Sequence, residues 1–408
     1  MSRILMNIAR VLCMLLLIAI FANMGMVILD ARQATAEMAA AAKAAAAPTA
    51  SPSPDPAEIT PTAAPTPAPT PEIAPEPTPE PTPEPTPEPT PQVFTVSMVG
   101  DCTLASYPEI RNFPSSFENT IGEDWAKPFS STLSYFSEDD FTITNLECTL
   151  SDTQAWSGST FSFLAPSAAV EVLKSGSVEY VTTANNHAMD FGQDRYNDTC
   201  TILDAASIGH SGDGEYSIYT TVSGVKVGVY SVFNYYAPAV ARLTESIAAL
   251  RAEGAEIVIV AAHWGIEGNY YQTGDQVSVG HAAIDAGADI VFGSHPHRLQ
   301  PMEVYGDGII FYSMGNWIFG GNTNPDDKDS AIAQVRFQRD ENDVLRLLDY
   351  SLIPCSISSQ SGVNDYCPTP YEKGSEEYER AYAKISGQYT GPNSSIDYSF
   401  MHPEEAQT

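Results

Sequence analysis

Basic residues are scarce in this chain. Its 408 residues include 19 Lys and Arg against 51 Asp and Glu, a formal net charge of −32 at pH 7. Residues 93–408 alone carry 42 acids and 15 bases, a net charge of −27. Binding to nucleic acid requires a basic surface that neutralises phosphates, so this composition excludes nucleic acid as a partner. It is compatible with binding of divalent cations, although most of the charge is typical of a solvated acidic surface.

Cysteine is also sparse. Cys13 lies in the apolar N-terminal segment, and five others follow, at positions 102, 148, 200, 355 and 367. An odd number at wide spacing is not the disulfide framework of a small secreted domain. Cys355 and Cys367 could close a loop, and Cys102 and Cys148 could lie close together, but only geometry decides either pairing.

One long uncharged run lies near the start of the sequence. Residues 11–29 carry no charge, and Arg3 and Arg10 precede them. A run of this length spans a bilayer as a helix, and the arginines place its N-terminus in the cytoplasm. We therefore expect residues 1–30 to form a single-pass anchor in the cell membrane, with the following domain extracytoplasmic. The alternative is a signal peptide cleaved near residues 34–36, which would make the protein secreted.

Residues 31–92 begin Ala-rich and continue as a tract of Pro, Thr and Glu with Pro-Glu-Pro-Thr repeats. Such a tract cannot bury a core and is typical of solvated polyproline II structure. We expect a disordered, semi-rigid stalk that holds the following domain away from the membrane. The repeat is low complexity, and we assign it no binding role.

The remaining sequence alternates short apolar runs with helical patterns, which is typical of an α/β fold with a largely parallel sheet. Strands are predicted at 93–99, 141–146, 178–183, 225–232 and 256–262, and helices at 167–173, 194–206, 241–252 and 276–286. Residues 331–337 and 344–352 alternate as an antiparallel pair. We expect one domain over residues 93–353 and a polar C-terminal extension over residues 354–408, with a helix near 371–385.

Two histidines lie one residue apart within the segment 290–320. An apolar run ends at Gly293-Ser294 and is followed at once by His295, Pro296 and His297. This order favours a strand that delivers two imidazoles to its C-terminal end, with the fixed φ of proline between them. Neutral imidazole is the commonest metal ligand. Two histidines on a surface loop would give the same pattern.

Five apolar runs end in polar clusters, and four of the 7 histidines lie in those clusters. The carboxyl ends of parallel strands meet at one edge of a sheet, so these side chains are expected to converge. Carboxylate, amide and imidazole donors without thiolate favour one or two divalent ions of Mn, Fe or Zn over Ca²⁺. The clusters contain Asp101, Asn145 with Glu147, Asn185 and Asn186 with His187, His263, and His295 with His297.

Some of these residues have simpler interpretations. Asp101 could cap a turn, and one of Asn185 and Asn186 is expected to form a turn. Asp190 is expected to orient a neighbouring imidazole rather than to bind metal directly. Glu147 has no comparable alternative, because burying a carboxylate at a strand end without a cation is unfavourable.

The clusters together resemble the motif set of the CapA family, the poly-γ-glutamate capsule biosynthesis proteins related to calcineurin-like metallophosphoesterases. The resemblance covers about residues 93–340 and excludes the anchor, the stalk and the extension. In order, its motifs are Gly100-Asp101, Asn145-Leu146-Glu147, Ala184-Asn185-Asn186-His187 with Asp190, His263-Trp264-Gly265 with Glu267, Gly293-Ser294-His295-Pro296-His297, and Ser313-Met314-Gly315-Asn316.

The resemblance implies a four-layered α/β/β/α metallophosphatase-like sandwich with a two-metal site. Glu147 would bridge the ions; Asn186, His263 and His295 would complete one ligand set, and Asp101 and His297 the other. His187 would act as catalytic acid or transition-state stabiliser, with Asp190 beside it. The sequence departs from the phosphoesterase pattern twice, because Thr103 replaces the histidine of Asp-x-His and Glu147 replaces an aspartate.

Three functions follow as hypotheses. The first is a membrane-anchored, extracytoplasmic CapA-like metalloprotein that acts in synthesis, export or wall attachment of an anionic polymer, by metal-assisted hydrolysis or transfer. Its partners would be that polymer or a phosphoester substrate, the cell membrane, and other capsule-synthesis membrane proteins. The second is a general extracellular metallophosphoesterase. The third is a non-catalytic polymer-binding scaffold, which the substitution at Thr103 favours.

Overall fold

The described strands form two large mixed sheets and one small two-stranded sheet in the computed structural model. The model describes residues 93–155, 157–234 and 237–393, so the expected anchor (1–30) and stalk (31–92) lie outside the described residues. None of the helices among the described residues has the length and hydropathy that a bilayer-spanning helix requires.

The strands are short, apart from three of eleven or twelve residues that form the core of the first sheet. In chain order they are β1 (Val93–Thr103), β2 (Phe141–Leu146), β3 (Thr149–Leu150), β4 (Leu164–Ala165), β5 (Tyr180–Thr182), β6 (Gly209–Ser211), β7 (Glu215–Thr220), β8 (Lys226–Phe233), β9 (Ile257–His263), β10 (Ile290–Ser294), β11 (Met302–Tyr305), β12 (Gly308–Phe311), β13 (Asn316–Phe319), β14 (Asp329–Arg339), β15 (Leu345–Ser356) and β16 (Thr369–Pro370).

Four of the described α-helices have ten or more residues. In chain order the α-helices are α1 (Phe117–Ile121), α2 (Leu133–Ser137), α3 (Val170–Ser175), α4 (Gln193–Ala205), α5 (Ala237–Ala252), α6 (Gly274–Asp285) and α7 (Glu376–Ile385). Short 3₁₀ helices cover Lys127–Phe129 and Ser167–Ala169. A capping box between Thr273 and Gln276 begins α6, because the two side chains satisfy orphan N–H groups reciprocally.

The first sheet has the order β16-β15-β14-β1-β2-β5-β6, and β13 also pairs with β1. Strands β1, β2, β5 and β6 are parallel, whereas β14, β15 and β16 extend the sheet antiparallel. The second sheet has the order β11-β12-β10-β9-β8-β7, with a parallel centre and antiparallel edges. The strands predicted from the apolar runs are therefore divided between two mixed sheets, each with parallel strands at its centre.

The two sheets pack face to face with helices on both outer faces. Met98 and Ile143 of the first sheet share a buried cluster with Ile259 and Phe292 of the second. Helices α3 and α4 cover the outer face of the first sheet, and α5 and α6 cover that of the second. This is the four-layered α/β/β/α arrangement that the resemblance implied.

Residues after 353 pack on this framework. Strand β15 continues to Ser356, past the boundary predicted at residue 353, and β16 pairs with it. In α7, Ala381 and Ile385 are buried in the same cluster as the inner faces of the sheets. The helix begins at the N-cap Ser375, whose side chain accepts a hydrogen bond from the N–H of Tyr378.

Candidate metal centre

The predicted polar side chains lie at the C-terminal ends of parallel strands from both sheets. Asp101 lies near the end of β1, and Glu147 follows β2 directly. His263 is the last residue of β9, and His295 and His297 follow β10. The strands stop here because their apolar, fully buried runs give way to polar residues. The centre is thus formed where the carboxyl edges of the two sheets meet.

Glycines allow the strands to approach each other closely at this edge. A Cβ on Gly100 would lie 2.0 Å from the carbonyl oxygen of Gly315, and one on Gly293 would lie 2.2 Å from that of Tyr312. The N–H of Asp101 donates to the same Gly315 oxygen at 2.8 Å. The glycines of these two motifs therefore serve backbone packing that positions the aspartate.

The double-histidine segment has an unusual backbone. His295 and His297 have φ values of 94° and 53°, in the left-handed region that residues with a side chain rarely adopt. The N–H of His295 donates to Oδ2 of Asp101 at 3.4 Å. Strain of this kind persists where the surrounding structure imposes it, commonly at functional sites. In this segment the strained backbone directs the imidazoles of His295 and His297 toward the same group of candidate ligands.

Two groups of candidate ligands share one carboxylate. The ligand atoms of Glu147, His263 and His295 lie within 4.8 Å of one another, and so do those of Asp101, Glu147 and His297. The structure therefore brings together five of the six residues predicted as metal ligands, with Glu147 common to both groups. The sixth, Asn186, places its Oδ1 atom 2.7 Å from Nε2 of His263.

Glu147 is buried, and neither of its oxygens accepts a hydrogen bond from the residues that the structure describes. Its Oε1 lies 3.4 Å from Nε2 of His263 and 4.0 Å from Nε2 of His297. Burial, followed by the charge of Asp101, raises the pKa of Glu147 well above its usual range. A carboxylate in this environment requires a cation or a proton, so the residues fit a divalent ion.

The first group presents neutral imidazoles. Burial, reinforced by the neighbouring histidines, lowers the pKa of His263 well below its usual value, and burial lowers that of His295 to about 4. Nδ1 of His263 lies 2.9 Å from Oγ of Ser294, while Nδ1 of His295 is buried without a partner among the described residues. Neutral imidazole is the form that binds metals.

The second group has an anionic environment. Burial opposes protonation of His297, but the carboxylates of Glu147 and Asp101 raise its pKa to about 9. Its Nδ1 lies 2.9 Å from Oδ1 of Asn316 and 3.4 Å from Oδ2 of Asp101. Asn316, the last residue of the Ser313-Met314-Gly315-Asn316 motif, therefore orients the ring of this histidine. A hydrogen bond at one ring nitrogen leaves the other available as a ligand.

Asn145 and Asn185 position residues of the metal centre through hydrogen bonds. The sequence did not predict this role. The side chain of Asn185 donates to Oδ1 of Asn145 and to the carbonyl of Leu146, both at 2.9 Å, and accepts from the N–H of His187 at 3.1 Å. Asn145 in turn donates to Oδ1 of Asp101 at 2.9 Å. Of the paired asparagines, Asn185 thus fixes the backbone, and Asn186 faces the ligands.

His187 and Asp190, the predicted catalytic pair, are in contact. Nδ1 of His187 lies 3.0 Å from Oδ2 of Asp190, which also accepts a hydrogen bond from the N–H of Phe163 at 3.1 Å. The Phe163 ring packs edge-on against the imidazole, with ring centroids 4.8 Å apart. The ring and the carboxylate together hold the imidazole in one orientation.

A cavity of about 760 Å³ opens beside the centre. Glu147, Asn186, His187 and His297 line it on the metal side, and Phe161, Phe163 and Phe319 form apolar walls. The hydroxyl of Thr103 also lies at the cavity, buried and without a hydrogen-bond partner among the described residues. The volume of this cavity is typical of a pocket that binds a small-molecule substrate.

The cysteines beside the centre are not ligands in this geometry. All five cysteines of the described chain carry free thiols, so neither pairing that the spacing left open is formed. Burial raises the pKa of Cys102 and of Cys148 to about 12. Thiols in apolar surroundings behave as small hydrophobic side chains.

Comparison with known proteins identifies relatives of this chain. Capsule biosynthesis protein CapA of Bacillus anthracis is 27% identical over 295 residues, which cover 65% of this chain and 68% of that protein. PGA biosynthesis protein CapA of Bacillus subtilis strain 168 is 34% identical over 191 residues, 42% of this chain and 50% of that protein. The chain thus covers only about half the length of the second relative.

Two solved structures are also similar. A candidate 5′-nucleotidase from Staphylococcus aureus, crystallised with α-ketoglutarate, is 14% identical with a TM-score of 0.42, covering 72% of this chain and 58% of that one. NAD nucleotidase from Haemophilus influenzae is 10% identical with a TM-score of 0.35, covering 78% and 67%. At these TM-scores the likeness supports no inference about the chemistry of this chain.

A family model matches a large part of the sequence. Residues 95–321, more than half of the 408 residues, match the model described as bacterial capsule synthesis protein PGA_cap. The matched range includes every motif from Gly100 to Asn316 that carries the resemblance to CapA. The chain therefore belongs to the bacterial capsule synthesis protein family PGA_cap.

Proposed function

We propose that this protein is an exported, membrane-anchored metalloprotein that acts in synthesis, export or wall attachment of an anionic capsule polymer of the poly-γ-glutamate type. The observation that carries the proposal is Glu147, a buried carboxylate without a hydrogen bond, shared by two ligand groups beside a large cavity. Membership of the PGA_cap family supports the role in capsule formation. The membrane anchor rests on residues 1–30 of the sequence alone.

The centre would hold one or two divalent ions, Mn, Fe or Zn. Asn186, His263 and His295 would bind one ion together with Glu147, and Asp101 and His297 would bind the second. Bound ions would supply Lewis-acid stabilisation of negative charge that develops during attack on an acyl or phosphoryl centre.

The chain's own contribution to hydrolysis or transfer is the pair His187 and Asp190. Nδ1 of His187 lies 3.0 Å from Oδ2 of Asp190; with Nδ1 protonated it would donate a hydrogen bond to this carboxylate, which leaves Nε2 as the nitrogen that exchanges a proton. Because His187 lines the cavity, it would donate that proton to the leaving group as a general acid. The aromatic wall formed by Phe161 and Phe163 would exclude water from the same side.

A specific observation favours a second candidate, a polymer-binding scaffold that has lost catalysis. Thr103 occupies the position at which the phosphoesterase motif Asp-x-His has its histidine. The second ion would therefore have Asp101, Glu147 and His297 as its ligands and would bind less tightly than the first. Loss of that ion would leave binding intact and remove two-metal chemistry.

The proposal is tested with purified full-length protein. We expect stoichiometric divalent metal by elemental analysis and metal-dependent cleavage or transfer of γ-linked polyglutamate. His295→Ala combined with His297→Ala should abolish both. The matched control is His281→Ala, since His281 stacks on Tyr305, contacts Glu303 and belongs to neither ligand group.

Absence of metal in the parent protein, or full activity of the double variant, would contradict the proposal. Retained polymer binding without turnover would favour the scaffold. Turnover of p-nitrophenyl phosphate with added Mn²⁺, without any action on polyglutamate, would favour a general metallophosphoesterase.

A further inference from the structure

Most basic side chains in the described part of the chain are paired with carboxylates. Examples are Arg251 with Asp289 at 2.6 Å and Arg336 with Asp349. Five described bases form no ion pair with a described residue: Lys127, Lys226, Arg242, Lys328 and Lys373. In a domain with this excess of acid, a base that lies beside a cavity and is still unpaired is a candidate for binding an anionic ligand.

Of these five, Lys328 lines the cavity beside the metal centre. Its Nζ donates to Oδ1 of Asn324 at 2.7 Å and to the carbonyl of Pro325 at 3.0 Å, two neutral acceptors that fix its position. The other base of the cavity, Arg298, is already committed, because it donates to the carbonyl of His297 and to Asp326. Lys328 therefore keeps one N–H for a ligand, and although burial lowers its pKa, the carboxylates of Asp326 and Asp327 favour its charged form.

Lys328 also stands where two cavities meet. A second groove, of about 820 Å³, is lined by residues of the C-terminal extension, among them Ser358, Ser359 and Tyr371. Asp326, Lys328 and Gly362 line both the groove and the metal cavity. A substrate that extends from the metal centre along the groove would pass the ammonium group of Lys328.

We propose that Lys328 binds an anionic group of a chain-like substrate, a carboxylate of the polymer, at the junction of the metal cavity and the second groove. This inference rests on the proposed function. It adds Lys328 as a residue that would favour binding of a polymer over binding of a small phosphoester. A point charge held by neutral acceptors at a junction suits a repeating carboxylate, because successive units present the same group there.

The test measures affinity in the full-length, Mn²⁺-loaded protein by titration calorimetry. The probes are a γ-linked glutamate pentamer and inorganic phosphate. Lys328→Met should weaken binding of the pentamer at least about tenfold, which equals about 1.4 kcal/mol, and Lys328→Arg should retain most of it. The control Lys373→Met removes an exposed, unpaired lysine outside both cavities and should leave the affinity unchanged.

Metal content separates failure of this inference from failure of the proposed function. Parent protein without metal contradicts the proposed function. Metal-loaded Lys328→Met that binds the pentamer as tightly as the parent overturns the role of Lys328, and so does a loss of metal from this variant. A weakened affinity for phosphate with an unchanged affinity for the pentamer overturns the assignment to a polymer carboxylate.

Discussion

Two regions of this protein bury carboxylates, and they differ in how those carboxylates are satisfied. Between β14 and α7, Asp329 accepts two hydrogen bonds from Arg380, one from Lys384 and one from Tyr371. At the edge where the sheets meet, Glu147 accepts none from any described residue. Fully paired buried charge indicates a structural role, whereas buried charge without partners points to a ligand that the protein binds.

The comparison predicts the largest effect at Glu147. Glu147→Gln removes the carboxylate common to both ligand groups and should abolish metal binding by elemental analysis. Because burial and the charge of Asp101 raise the pKa of Glu147 in metal-free protein, the metal-free variant should be at least as stable as the metal-free parent. Equal metal content in variant and parent, or a lower free energy of unfolding in EDTA, would show that Glu147 is structural.

The opposite result is expected for the paired cluster. Lys384 is 3% exposed and contacts Asp327 at 2.8 Å and Asp329 at 2.7 Å. Lys384→Met should lower the free energy of unfolding by about 3 kcal/mol, since removing one partner leaves uncompensated buried charge. Metal content should not change. The exposed Lys373→Met serves as the control, within about 0.5 kcal/mol of the parent, and a similarly small effect at Lys384 would refute the distinction.

Asn185 and Asn186 are neighbours in one turn and allow the same comparison between a structural residue and a metal ligand. Asn185→Ala removes hydrogen bonds to Asn145, Leu146 and His187 and should lower the free energy of unfolding by about 1–3 kcal/mol. Asn186→Ala should leave metal-free stability nearly unchanged and weaken binding of the first ion by about tenfold, or about 1.4 kcal/mol. Urea unfolding in EDTA and metal titration measure the two effects. An exchange of the two phenotypes would reverse our assignment of the turn and ligand residues.

Much of this architecture could be predicted from local pattern. The run 141–146 coincides with β2, because Phe141, Ile143 and Leu146 alternate with β-branched threonines in a pattern typical of a strand. The convergence of Asp101, Glu147 and the histidines also followed, since parallel strands end at one edge. The division into two sheets followed only from the family resemblance, because an apolar run by itself does not specify which neighbour it pairs with.

The residues that position the metal ligands could not be recognised from the sequence either. Asn145 and Asn316 lie in motifs whose amides have no role that the sequence alone reveals, and only the fold brings them to Asp101 and His297. Lys328 lies in a polar segment without strand or helix signal. Its position depends on the C-terminal extension, whose residues complete the second groove.

Two half-buried carboxylates, Asp139 and Glu179, test the comparison where the smallest effect is expected. Asp139 accepts from Oγ1 of Thr142 at 2.7 Å, and Glu179 accepts from the N–H of the same threonine at 2.7 Å. These acids have hydrogen bonds but no ion pair among the described residues, so they lie between the two extremes. Burial raises the pKa of each to about 7.

The direction of the pH effect follows from proton binding. Between about pH 4 and pH 7 the carboxyls of Asp139 and Glu179 are protonated in the folded protein and ionised in the unfolded chain. Their contribution to the free energy of unfolding is therefore full below about pH 4 and decreases as the pH rises to about 7. Asp139→Asn should therefore raise the free energy of unfolding at pH 8 by on the order of 1 kcal/mol relative to the parent and give no gain at pH 4. Urea unfolding in EDTA at both values measures this, with the exposed Glu341→Gln as control. An equal gain in the free energy of unfolding at both pH values would mean that Asp139 is ionised in the folded protein. Hydrogen bonds alone would then satisfy this half-buried carboxylate.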